Sequence, residues 1–99
     1  MPRPVKLAAD AVSAGLSELP GWSLKDGKLH RVFEFPDFTR AFGFMAAVAT
    51  VAEKLDHHPD WTNVYNRVTV NLETHDQGGI TELDLKLAAK MNELAAGSQ

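Results

Sequence analysis

The sequence predicts an α+β fold in the order α-β-β-α-β-β-α, an antiparallel sheet with helices on one face. Three observations carry that prediction. Asp26-Gly27 separates two short β-prone runs and signals a tight hairpin turn. Residues 38–55 repeat apolar side chains at helical spacing. Residues 67–74 alternate, with Val68, Val70 and Leu72 on one face and Thr69, Asn71 and Glu73 on the other. A strand that is apolar on one side and polar on the other belongs to a sheet covered on one face only.

Taken in order, residues 4–19 read as a first helix. Leu7, Ala11, Gly15 and Leu19 recur every four residues, Pro4 suits a first helical turn, and Pro20-Gly21 stops the run. Residues 22–35 form the hairpin, with Leu29, Arg31, Phe33 and Phe35 on one face and His30 on the other. Pro36 cannot donate to a ladder and closes the second strand. Asp37 is an N-cap for the second helix. There Phe38, Ala41, Met45, Val48, Ala52 and Leu55 make one apolar stripe, and Phe44, Ala47 and Val51 a second. No charge occurs between Arg40 and Glu53. A helix apolar nearly all round must be covered on more than one side, so it is expected to pack on the sheet and on a second subunit. His58 precedes Pro59, which pushes it out of the helical region and ends the helix. Residues 61–65 read as a short strand, Asn66 as a turn, and residues 67–74 as the cleanest strand. Residues 75–79 read as a flexible connector to a last helix, with Thr81 as N-cap and Leu83, Leu87, Met91 and Leu94 as its buried stripe.

Bulk properties bound the function. Ninety-nine residues make one domain, residues 1–99, with a thin stability margin that oligomerisation commonly relieves. A net charge of −3 offers no basic stripe for nucleic acid. The absence of cysteine excludes disulfides, thiolate nucleophiles and zinc–sulfur sites. The weakly basic start, Met1 to Lys6, is followed by a run that Asp10 interrupts, so no signal peptide is expected. The longest uncharged run, residues 41–52, is too short for a bilayer. The expectation is a cytoplasmic protein that binds neither membrane nor nucleic acid.

Chemistry concentrates in two segments. Asp56-His57-His58-Pro59-Asp60-Trp61 ends the second helix, and Thr74-His75-Asp76 ends the cleanest strand; together they hold three of the four histidines. An imidazole exchanges protons near neutrality, so this cluster points to acid–base work. Adjacent histidines chelate a metal poorly, which argues against a metal site. The alternative, that His57 and His58 favour a helix C-terminus through its dipole, stands equally on spacing alone. Trp61 could stack on a flat heterocycle or join the core.

Longer motifs carry a resemblance. The run from Glu53 to Trp61, then Val64-Tyr65-Asn66-Arg67-Val68, then Leu72-Glu73-Thr74-His75, is similar to the pterin-4a-carbinolamine dehydratase family. Gly21-Trp22 and residues 35–45 look like the same family, so the likeness runs from about residue 21 to the last helix. It implies a four-stranded antiparallel sheet with helices packed on one face, assembled as a homodimer or homotetramer through the 38–55 helix. It implies a hydro-lyase that dehydrates 4a-hydroxytetrahydropterin to quinonoid dihydropterin in tetrahydrobiopterin recycling, with no metal and no organic cofactor. The motif places the catalytic histidines on His57, His58 and His75. Glu53 and Asp56 would orient them, Pro59 would fix the loop, and Trp61 would line the ring pocket. Asp84 matches a family position near the site, and it also reads as the acidic residue of a capping box. Animal members commonly carry arginine where this chain has Leu83. They also act as dimerisation cofactors of a homeodomain transcription factor through the second helix, which implies the alternative of a coactivator-type binding module.

Overall fold

The computed structural model describes residues 4–97. Met1–Arg3, part of the basic start, and Ser98-Gln99 lie outside the described residues. The elements are α1 (Ala9–Leu16), β1 (Ser23–Lys25), β2 (Lys28–Glu34), α2 (Phe38–Leu55), β3 (Asp60–Val64), β4 (Arg67–Leu72) and α3 (Glu82–Ala95), with a 3-10 turn at His75–Gln77. They follow the predicted order.

The four strands form one antiparallel sheet in the order β1-β2-β4-β3. Asp26 and Gly27 both take positive φ, 53° and 77°, as the type I′ hairpin requires. In the central pair, Phe33 lies opposite Val68 and Arg31 opposite Val70. Leu29, Phe33, Val68 and Val70 are fully buried, whereas their alternates stay at least partly exposed. The helices therefore cover one face. Phe33 and Phe44 bring strand and α2 together, ring centroids 4.7 Å apart.

The first helix is shorter than its periodicity predicts. Residues 4–8 are not helical, Ala8 being extended at φ −69°, ψ 159°, and the Leu7 N–H donates to the Ile80 carbonyl at 2.8 Å. A backbone bond to a distant segment outweighs the propensity of one more helical turn. Gly15 lets α1 approach α3, because a Cβ there would lie 2.7 Å from a Leu85 methyl. The first loop is tied to α3 through Asn92, whose Oδ1 accepts from Trp22 Nε1 and from Arg31 Nη1. Burial pulls the Arg31 guanidinium below its ordinary pKa.

In α2 the buried residues are Ala41, Phe44, Val48 and Ala52, a stripe drawn from both predicted ones. Phe38 and Phe42 stand on its outer side, 49% and 58% exposed. The connector after β4 is not loose. Thr74 bridges to Gly79, the Thr74 N–H donating to the Gly79 carbonyl at 2.8 Å, and the 3-10 turn fills the space between. No helix of the described residues is long and apolar enough to cross a membrane.

Candidate active site

The end of α2 sets the first histidine. Asp56 takes φ 53°, ψ 43°, the left-handed conformation that stops a helix. The His57 N–H then reaches back to the Ala52 carbonyl at 3.0 Å and the Asp56 N–H to Glu53 at 3.2 Å, the paired bonds of a Schellman motif. This reversal turns His57 inward and leaves His58 outward. His57 is 9% exposed, while the His58 side chain is 60% exposed.

The start of α3 supplies the partner. Asp84 is the third residue of the helix, and its Oδ2 accepts from the Thr81 N–H at 2.9 Å, closing a capping box. The same Oδ2 accepts from Thr74 Oγ1 at 2.9 Å. Its Oδ1 lies 2.5 Å from His57 Nε2. Asp84 is fully buried, so these donors replace all of its water. The capping-box reading of Asp84 holds, and the same side chain also faces His57.

Nε2 therefore faces the carboxylate. Among the described residues Nδ1 has no hydrogen-bond partner, and no buried side-chain nitrogen or oxygen is left unpartnered. Nδ1 is thus the nitrogen that reaches solvent. The arrangement is an imidazole gripped from behind with its other nitrogen presented outward, the geometry of a proton-transfer group.

The remaining residues are placed more openly. His75 follows Thr74, so the Thr74–Asp84–His57 bonds join its loop to the end of α2. Its side chain is 98% exposed, with Nδ1 3.6 Å from Glu73 Oε1, beyond hydrogen-bond reach. His58 Nε2 pairs with Glu53 Oε1 at 2.9 Å, both at the surface. Asp56 is exposed and its evident part is the backbone reversal. Pro59 is half-buried, and Trp61 is half-buried against the core. Sequence reasoning missed Thr74, whose polar side chain is buried just past the end of β4, a strand that stops at Leu72 rather than at residue 74 and is apolar on its inner face. A threonine two residues past the last inward apolar position was the available signal. No three or more His, Asp or Glu residues among those described converge as a metal site. Two clefts, of about 430 Å³ between α2 and α3 and about 460 Å³ beside Gly78-Gly79, contain none of these histidines.

The fold and the histidine pair at its helix end define a small α+β protein with a buried carboxylate–imidazole contact that opens on its surface. Residues 5–94 match the family described as Pterin 4 alpha carbinolamine dehydratase, and the chain belongs to that family. A relative from Solibacter usitatus, provisionally named pterin-4-alpha-carbinolamine dehydratase, is 52% identical over 92 residues, covering 93% of this chain and 97% of its own. One from Afipia carboxidovorans, named the same way, is 59% identical over 92 residues, 91% and 92% of the two chains. A crystal structure from Brucella melitensis, described as a transcriptional coactivator/pterin dehydratase, superposes with a TM-score of 0.89 at 52% identity, covering 92% of this chain and 99% of that one. A pterin dehydratase-like protein described as a RuBisCO assembly factor of the alpha-carboxysome gives a TM-score of 0.62 at 25% identity, over 79% and 89% of the two chains.

Proposed function

We propose that this protein dehydrates a 4a-hydroxytetrahydropterin to the quinonoid dihydropterin by histidine acid–base catalysis, in recycling of tetrahydrobiopterin in the cytoplasm. The observation that carries the reading is His57, held by buried Asp84 at Nε2 and open at Nδ1. Family membership and the dehydratase names of its relatives support the substrate class. In the reaction the C4a–O bond breaks, the hydroxyl leaves with a proton as water, and N5 gives up its proton as the quinonoid double bond forms. One group must donate and one must accept, and both charges develop close together on the pterin. His57 and His75 lie on the two segments that Asp84 joins, and we assign them to these steps. His58 is the group that holds or polarises the ring, with Glu53 as its partner at 2.9 Å.

A stopped-flow dehydration assay on the purified protein tests this. The double variant His57→Ala, His75→Ala is expected to lose roughly 10²–10⁴-fold in rate, the range of general acid–base catalysis. An unchanged rate would overturn the proposal.

A second reading rests on Phe38 and Phe42, which lie side by side on the uncovered face of α2, centroids 5.9 Å apart. This face supports docking against another copy of the chain, as a homodimer or homotetramer through α2, or against a coactivator-type partner. Sedimentation distinguishes them: self-association that Phe42→Glu abolishes supports the first, and a monomer at micromolar concentration rejects it.

A further inference from the structure

The mechanism just proposed leaves two buried hydroxyls unused. Thr74 and Thr81 are 5% and 0% exposed, and neither touches solvent enough to meet a substrate. Their oxygens lie 2.6 Å apart, and Thr74 Oγ1 lies 2.9 Å from Asp84 Oδ2. The direction of this chain follows from counting protons. Each hydroxyl has one to give. Oδ2 already accepts the Thr81 N–H, and a carboxylate oxygen in that position accepts only, so the Thr74 proton points at Asp84. The 2.6 Å contact must then be made by the Thr81 proton. Thr81 Oγ1 in turn accepts the Leu83 N–H at 3.3 Å, which satisfies its other side. Every proton runs one way, from the first turn of α3 through two hydroxyls to the carboxylate.

The consequence falls on His57. With Oδ2 occupied by two donors, Asp84 turns its remaining acceptor, Oδ1, to Nε2. A carboxylate facing a ring nitrogen at 2.5 Å keeps the proton on that nitrogen. We propose that Thr74 and Thr81 are positioning residues, a one-way hydroxyl relay that through Asp84 fixes His57 as the Nε2–H tautomer and leaves Nδ1 as the atom that takes up and returns a proton. The relay does not touch the substrate; it decides which nitrogen does. This rests on the reading of His57 as a proton-transfer group, but its structural content can be read without any turnover.

The experiment is a long-range ¹H–¹⁵N correlation spectrum of the ¹⁵N-labelled full chain, with His57 assigned by comparison with His57→Ala. In wild-type protein Nδ1 is expected to resonate as a pyridine-type nitrogen and Nε2 as a pyrrole-type one. Thr74→Val keeps the shape and removes the hydroxyl. It is expected to draw the two shifts toward each other and to lower kcat about 10-fold at unchanged KM, the effect of one hydrogen bond to a charged acceptor. Thr74→Ser restores the hydroxyl and is expected to restore both readouts. A wild-type His57 with its proton on Nδ1 overturns the proposal without recourse to any variant. So does a folded Thr74→Val with the wild-type tautomer. A locked tautomer in a protein with no dehydratase activity would retain the relay and reject the function.

Discussion

Replacing Asp84 with asparagine exchanges one carboxylate oxygen for an NH₂ and removes one charge, and its effect can be worked from the bonds. The carboxylate accepts from Thr81 N–H and Thr74 O–H at 2.9 Å each and faces His57 Nε2 at 2.5 Å. The site is fully buried, so no water can make good a lost partner. An amide has one acceptor oxygen. Placed where Oδ2 was, it keeps both 2.9 Å bonds, but as neutral ones, worth about 1 kcal/mol less apiece than bonds to a charged group. The NH₂ then confronts His57, which accepts from it only if its proton moves to Nδ1. The folded state should lose about 2 kcal/mol. With a urea slope near the low end for small domains, ~1–1.5 kcal/mol per molar, the unfolding midpoint should fall by roughly 1.3–2 M. Trp22 and Trp61 report that transition by fluorescence. The rate should fall further than the stability does, by roughly 10²–10⁴, because the exposed nitrogen now carries the wrong proton occupancy. An Asp84→Asn variant that dehydrates substrate within a few fold of wild type, at any stability, would refute the assignment of Asp84 as the residue that orients His57.

Two further substitutions test the scaffold. Asp56→Gly should raise stability by about 0.5–1 kcal/mol, since glycine takes the left-handed conformation at φ 53° without strain from a Cβ, and thermal unfolding should show it as a higher Tm; a lower Tm would mean the carboxylate itself holds the helix end. Gly21→Ala should cost about 2 kcal/mol, because φ there is +86° and a Cβ would lie 2.7 Å from the Arg31 guanidinium, which is pinned by Asn92 and the Pro20 carbonyl; the expected fall in Tm is roughly 8–16 °C, and an unchanged Tm would show that the cluster is slack.

The elements legible in the sequence are those whose signal is local. Asp26-Gly27 dictates its turn by backbone conformation alone, and the alternation of residues 67–74 survives in the burial of Val68, Val70 and Leu72. Periodicity overstates the first helix because the bond from Leu7 to the Ile80 carbonyl joins residues far apart in the chain, which a local pattern cannot see. Asp84 shows the same limit at the site. Its position as the third residue after Thr81 announces a capping box, and that box is present. Nothing local announces that its other oxygen faces His57, 27 residues earlier. Spacing leaves His57 and His58 equivalent, whereas one left-handed residue, Asp56, turns the first into the interior and the second into solvent.

The burial of Asp84 is the point at which stability and chemistry meet. A lone carboxylate in a protein interior is prohibitive, of the order of several kcal/mol after relaxation. Here the cost is offset by groups that need an acceptor for reasons of their own. The Thr81 N–H is one of the orphan donors that every helix start must satisfy, and the first turn of α3 adds the positive end of its dipole. The Thr74 hydroxyl sits on a strand end that would otherwise bury it unpaired. Two donors thus hold Oδ2, and Oδ1 is left with one unmet direction, toward the end of α2. A histidine arriving there with an N–H completes the shell. The capping box is therefore not a rival explanation for Asp84 but the condition that lets a buried carboxylate exist beside His57 at all, and a chain of 99 residues obtains a fixed tautomer from bonds its fold already had to make.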